Sequence, residues 1–151
     1  MEIEIKPVNP GRPDIIKLIN ESTKYLSSLY PSESNHLVSI SELEQKNVFF
    51  VGAFLNEKIV GCGAVFKYES YGEIKRMFVD NRFRGYGIGA KILSDLENHM
   101  TSCGIKISKL ETGIHQKEAI GLYKKFGYLD TTPFGNYLPD PLSIFMDKAL
   151  T

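Results

Sequence analysis

The sequence predicts a mixed α+β fold, a mostly antiparallel central sheet with one parallel strand pair and helices packed against it. Three observations predict this class. Runs with period-two alternation and runs with helical spacing are interleaved along the whole chain. Two β-rich runs, 48–55 and 58–66, are separated only by Asn56 and Glu57, which is hairpin spacing. A strand–helix–strand unit over 73–111 implies a crossover connection, and a crossover makes its two strands parallel.

Each element has its own local reason. Residues 2–6 alternate charged and apolar, with Ile3 and Ile5 on one face of a short strand. The turn from Pro10 to Pro13 precedes Asp14, which is placed to cap or open a helix. Ile15, Leu18, Ile19, Ser22, Leu26 and Leu29 then recur at helical spacing until Pro31. Residues 32–47 are polar, with a short helix expected around 41–44. After the hairpin, 73–79 reads as a third strand. Residues 80–89 form a turn rich in glycine and arginine, leading into a helix that carries Ile88, Ile92, Leu93, Leu96 and Met100. Gly104 ends that helix, because glycine fits the left-handed position after the last turn. Residues 105–111 read as a strand with Ile105, Ile107 and Leu110 inward. Residues 116–126 read as a helix with Ala119, Leu122, Tyr123 and Phe126 on one face, capped by Gly127. The tail holds a loop with Pro133, Pro139 and Pro141 and a last strand over 143–147.

Composition bounds the function. At about 100–200 residues per domain, 151 residues predict one domain, 1–151. Eighteen basic and eighteen acidic residues cancel, which argues against a strongly basic nucleic-acid surface and against disorder. No apolar run approaches the roughly 20 residues of a membrane span, and the N-terminal alternation lacks the apolar core of a signal peptide. Cys62 and Cys103 lie in apolar-patterned segments without C-x-x-C spacing, so both read as buried free thiols of a reducing, cytoplasmic compartment. Neither cysteine has a cue for thiolate activation. His36, His99 and His115 lack metal-ligand spacing, so no metal is expected and all three read as structural or solvent-facing.

The most informative stretch is Arg82-Phe83-Arg84-Gly85-Tyr86-Gly87-Ile88-Gly89-Ala90. Three glycines at alternate positions clear the start of a helix of side chains. The first amides of a helix have no internal partners and point outward, and the helix dipole adds about half a positive charge there. That end suits a phosphate or pyrophosphate, with Arg82 and Arg84 as further donors. A flexible surface turn is the plainer alternative. A dinucleotide fingerprint, Gly85-x-Gly87-x-x-Ala90 with Glu111 as ribose acceptor, fits poorly. Five residues separate Val79 from Gly85, the preceding segments read as a hairpin, and about 40 residues after Glu111 are too few for a second mononucleotide half.

Arg82-x-x-Gly85-x-Gly87 followed by Ile88-Gly89-Ala90 resembles the acyl-CoA pyrophosphate loop of the GNAT superfamily of acetyl-CoA-dependent N-acetyltransferases. The strand Glu73-Ile74-Lys75-Arg76-Met77-Phe78-Val79 resembles that family's fourth strand. Glu111-Thr112-Gly113 and Gln116-x-x-Ala119-x-x-Leu122-Tyr123-x-x-Phe126-Gly127-Tyr128 resemble its later strand, helix and turn. Residues 7–47 match in element order only.

The resemblance implies acetyl-CoA as co-substrate, held by Arg82, Arg84, Gly85, Tyr86, Gly87, Ile88, Gly89 and Ala90. It also implies a splayed parallel pair that frees the backbone of Phe78 and Val79 for the pantetheine arm. Gln116 stands where many members have asparagine, and its amide offers the same donors and acceptor on a longer arm. The period-two reading puts Glu73 on one strand face with Lys75, Met77 and Val79. The resemblance makes Glu73 the general base, directly or through water; otherwise it is a glutamate paired with Lys75 or Arg76. Tyr123 is the implied acid for the departing thiolate, against the alternative of a core tyrosine.

The implied acceptor is a primary amine of a small molecule, bound between residues 25–35 and the 133–141 loop in a monomer or homodimer. A protein lysine or N-terminal amine is the first rival, with a flatter and more open groove. A non-catalytic acyl-CoA-binding module is the second.

Overall fold

The computed structural model describes residues 2–151. In chain order the elements are β1 (Glu4–Pro7), α1 (Pro13–Leu29), α2 (Ile40–Leu43), β2 (Val48–Leu55), β3 (Lys58–Lys67), β4 (Gly72–Val79), α3 (Ile88–Ser102), β5 (Ile107–Gly113), α4 (Lys117–Lys125), β6 (Leu129–Thr131) and β7 (Ser143–Ala149). They build one seven-stranded sheet in the order β1-β2-β3-β4-β5-β7-β6, antiparallel throughout except for the β4–β5 pair. The expected class, with its single parallel pair, is the observed one.

Helices cover both faces of the sheet. On one face Ile88, Ile92, Leu93, Leu96 and Met100 of α3 pack on Val51, Val65, Ile74 and Leu110. On the other, Ile15, Leu18 and Ile19 of α1 and Leu43 of α2 meet Phe50, Cys62, Ala64 and Phe66. Both helical stripes follow the spacing in the sequence, because burying them removes the most apolar area from water. The β2–β3 turn has Asn56 and Glu57 at φ 49° and 69°, so both residues adopt the left-handed backbone that a two-residue hairpin turn with strand-matched twist demands.

Five local expectations are corrected. Arg12 occupies the N-cap position of α1 without a side-chain capping bond, with Pro13 in the first turn. Asp14 instead accepts from the Ile15 amide at 2.9 Å and pairs with the Arg12 guanidinium. Strand β5 begins at Ile107 and buries Ser108, Leu110 and Thr112, leaving Ile107 exposed. Ile107 and Leu110 are an odd number of residues apart and cannot share a strand face, and Leu110 takes the core side. The last strand runs on to Ala149, and the short β6 pairs with it through Asp147–Phe145; Leu-Asp-Thr carries no alternation that announces a strand. Cys62 is buried but Cys103 is exposed, beyond the apolar stripe of α3.

The fifth correction shapes the site. Ala64 pairs with Lys75, but Cys62 pairs with Phe78, so β4 carries one extra residue and bulges with Arg76 at φ 56°. Past the bulge the alternation changes phase. Lys75 and Phe78 lie opposite Ala64 and Cys62, on the α1 face, whereas Met77 and Val79 join the α3 side. The single face predicted for Glu73, Lys75, Met77 and Val79 is therefore divided.

Gly113, at the end of β5, lies against the ring of Tyr30; a Cβ there would overlap the phenol. Gly113→Ala is expected to lower stability by about 1–3 kcal/mol through overpacking, read as a fall of several degrees in Tm. An unchanged midpoint would show that Tyr30 moves aside without cost.

Candidate active site

The parallel pair is short. Only Gly72, Glu73 and Ile74 of β4 pair with Ser108, Lys109 and Leu110 of β5. Beyond Ile74 the strands separate, while β5 continues along β7 to Gly113. The bulge at Arg76 bends β4 at that point, so the β5-facing backbone edge of Met77, Phe78 and Val79 has no strand partner. A groove of about 1010 Å³ follows this opening, walled by α1, the end of β4, the start of α3 and α4.

Phe78, Val79, Arg84, Gly85, Gly87, Ile88, Gly89, Ala90 and Gln116 of the predicted cofactor set line the groove. The geometry suits a pyrophosphate. Gly85 and Gly87 have φ of +88° and +75°, and a Cβ at either would meet nothing within 4 Å, so open space lies over the turn. Gly87 caps α3, and the next amides have no acceptor within the helix. Arg84 donates to the Val79 carbonyl at 3.3 Å and lies over the Tyr25 ring at 5.1 Å, which fixes its charge at the groove wall. Arg82 and Tyr86 are not among the lining residues. Arg82 pairs with buried Asp80 at 2.8 Å, and that ion pair holds the Asp80 carboxyl below the usual carboxylate range. Tyr86 is exposed.

Gly87→Val is expected to leave the fold intact and weaken acetyl-CoA binding by about 10–100-fold. A β-branched residue holds this backbone only at a cost of roughly 1–3 kcal/mol, which binding must then supply. Unchanged affinity in a calorimetric titration would remove the loop from cofactor binding.

A second pocket, about 80 Å³, opens between the 34–38 segment, β4, β5 and Tyr137. It shares Ser22, Leu26, Met77, Gln116 and Tyr123 with the groove, so the two cavities meet at these side chains. Tyr123 is 5% exposed, and burial pushes its phenol well above the ordinary tyrosine value, with the Glu111 charge adding to the shift. Gln116 accepts from the Gly113 amide at 3.1 Å, which holds its side chain at the junction.

Two carboxylates stand near this pocket in different settings. Glu73 is buried, accepts a hydrogen bond from the Tyr137 hydroxyl at 2.6 Å and pairs with Lys75 at 3.2 Å. Lys75 and Tyr137 line the pocket, and Glu73 stands behind them. Glu111 lines the pocket itself, accepts from the Ser143 hydroxyl at 2.8 Å, and is raised above the usual carboxylate range chiefly by burial. From the sequence Glu111 reads as the start of the family-like Glu111-Thr112-Gly113 stretch or, in the dinucleotide alternative, as a ribose acceptor, and not as a base. Its signal was a lone acid in an inward-alternating strand, just before Thr112-Gly113. His36, expected to be structural or solvent-facing, lines the same pocket and meets the Tyr137 ring edge-on at 5.1 Å. His115 stacks on Tyr30, and His99 lies flat on Phe49. Burial pushes the Cys62 thiol up to about 12, far from thiolate chemistry.

The two predicted acceptor segments come together. Besides the His36–Tyr137 contact, Ser34 donates to Asp140 at 2.8 Å, tying the segment after α1 to the 133–141 loop. Among the described residues no group of His, Cys, Asp and Glu is arranged to hold a metal ion, and no helix is long and apolar enough to cross a membrane.

Comparisons with known proteins agree with this geometry. The family model of the GNAT acetyltransferases matches residues 14–128. An IAA acetyltransferase of Azospirillum brasilense is 41% identical over 98% of both chains. The uncharacterized N-acetyltransferase YsnE of Bacillus subtilis is 30% identical over 99% of this chain and 100% of its own. Among solved structures, the PaiA N-acetyltransferase of Thermoplasma acidophilum, in complex with coenzyme A, superposes with a TM-score of 0.77. It is 19% identical and covers 99% of each chain, which shows a shared fold. A splayed strand pair, a glycine turn opening a helix at the groove and a family match spanning both make this chain an acyltransferase of the GNAT family.

Proposed function

We propose that the enzyme moves an acetyl group from acetyl-CoA to the primary amine of a small molecule, by direct transfer within a ternary complex. The observation that carries this reading is the meeting of the long groove and the small pocket at Tyr123. A thioester delivered along β4 and an amine held in the pocket would face each other there. The cofactor supplies an activated acetyl group. The turn over Gly85 and Gly87, with the α3 amides and Arg84, binds its pyrophosphate. The unpaired edge of β4 at Phe78 and Val79 binds the pantetheine amides, and an N–H on that edge polarises the thioester oxygen.

Glu111 takes the proton from the acceptor's ammonium, leaving a neutral amine whose lone pair attacks the thioester carbon. It borders the pocket directly, and its raised pKa brings it nearer to neutral pH, where a base works best. Glu73 remains a competing base, acting through the Tyr137 hydroxyl that it already holds. Tyr123 gives its proton to the departing sulfur. The burial that makes its phenol a weaker acid also makes a thiolate beside it more basic, so the pair stays matched.

A small acceptor is favoured over a protein chain because the pocket is about 80 Å³ and the Ser34–Asp140 bond ties together the two segments beside it. CoA release measured over a panel of small amines and peptides tests the reading. Turnover of small amines is expected; turnover of peptides alone would favour a protein acceptor, and CoA binding without turnover a non-catalytic module.

A further inference from the structure

Two buried side-chain nitrogens among the described residues lack a hydrogen-bond partner: His36 Nε2 and Arg76 Nη1. Both residues line the small pocket. Buried polar groups are rarely left unpaired, because the lost hydration is not replaced, so each such group calls for an explanation. Two in one pocket suggest a shared one, a ligand.

The charges around the pocket narrow its chemistry. Lys75 is matched by Glu73 at 3.2 Å. Arg76 is different: its Nε and Nη2 both donate to the Val38 carbonyl, at 3.2 and 3.0 Å, and no carboxylate pairs with it among the described residues. Its backbone is also held at φ 56°, a costly conformation for a non-glycine residue that survives only where its surroundings impose it. Glu111 is the converse case. It borders the pocket with a neutral hydroxyl, that of Ser143, as its side-chain hydrogen-bond partner. The pocket thus presents one unmatched cation and one unmatched anion.

The geometry points to an acceptor that carries a carboxylate alongside its amine, as an amino acid does, with Arg76 and His36 receiving the carboxylate and Glu111 facing the ammonium. A zwitterion satisfies both unpaired groups and leaves the pocket's net charge unchanged. This inference rests on the small-amine reading and narrows it to a substrate class.

Matched pairs that differ only in the carboxylate test it: alanine against ethylamine, serine against ethanolamine, phenylalanine against phenethylamine. With saturating acetyl-CoA, kcat/KM is expected to be about 100-fold higher for the amino acid of at least one pair, mostly through KM, as for a buried charge pair. Arg76→Gln should erase that preference, chiefly by raising KM for the amino acid toward that of the plain amine. Should that variant not fold, wild-type inhibition gives the same reading: 3-phenylpropionate should compete with the acceptor, and ethylbenzene should not. Equal efficiency for both members of every pair would overturn the inference and leave amine acetylation standing. Failure of every acceptor of both classes to release CoA would overturn the small-amine reading, and this inference with it.

Discussion

Tyr123→Phe is expected to lower single-turnover acetyl transfer by about 10²–10⁴-fold, the usual worth of a positioned general acid. The substitution removes one hydroxyl and keeps the ring. The edge-on contact with Tyr128, at 5.8 Å between centroids, should persist, as should acetyl-CoA affinity to within a few-fold. The phenol is held above its ordinary pKa, so it stays protonated throughout the working range and adds no high-pH limb of its own there. Single-turnover kinetics are the right measurement, since slow product release would mask the loss in steady state. A variant that transfers at the wild-type rate would leave solvent as the proton source. A fall in Tm with normal transfer would make Tyr123 a core residue.

Glu111→Gln is expected to cost a similar factor and also to change the pH profile. A base works only when ionised, so kcat/KM should fall as pH drops through the pKa of Glu111. Burial has raised that pKa, placing the limb above the range of an ordinary carboxylate. The glutamine variant should lose both the rate and the limb. Glu73→Gln is the comparison. It weakens the buried contacts to Lys75 and Tyr137, so a lower Tm is expected, with the low-pH limb retained. If instead Glu73→Gln removes the limb and Glu111→Gln keeps it, the base is Glu73, relaying through Tyr137.

Much of the frame was legible from residue patterns. The stripes of α1 and α3, the Asn56-Glu57 hairpin, the crossover from β4 to β5 and the glycine turn are all local or nearly local features. A helical stripe or a two-residue turn is specified within a few residues, and that information survives in a one-dimensional reading. The turn's chemistry was legible for the same reason. Open space over Gly85 and Gly87 needs only residues without side chains at a helix start. Short β6 left no pattern, and Ile107 was misplaced because two apolar residues three apart compete for one strand face.

The site's polarity was decided only in three dimensions. The bulge at Arg76 comes from the mismatch between β3 and β4 pairings, and no residue in β4 announces it. That one extra residue divided the face expected for Glu73, Lys75, Met77 and Val79. At the bulge Arg76 donates to the Val38 carbonyl and has no acidic partner among the described residues. Glu111 and Tyr123 are 12 residues apart in sequence, and His36 and Tyr137 are about a hundred apart; the sheet and the loops beside it bring all four to one pocket. The sequence by itself determined the fold class and a turn suited to a pyrophosphate, because those depend on local backbone and periodic burial, while the family was legible only as a resemblance of its motifs. Which carboxylate lines the small pocket and which cation beside it stands unpaired among the described residues depended on strand register and loop contacts, and these are settled only when distant segments pack together.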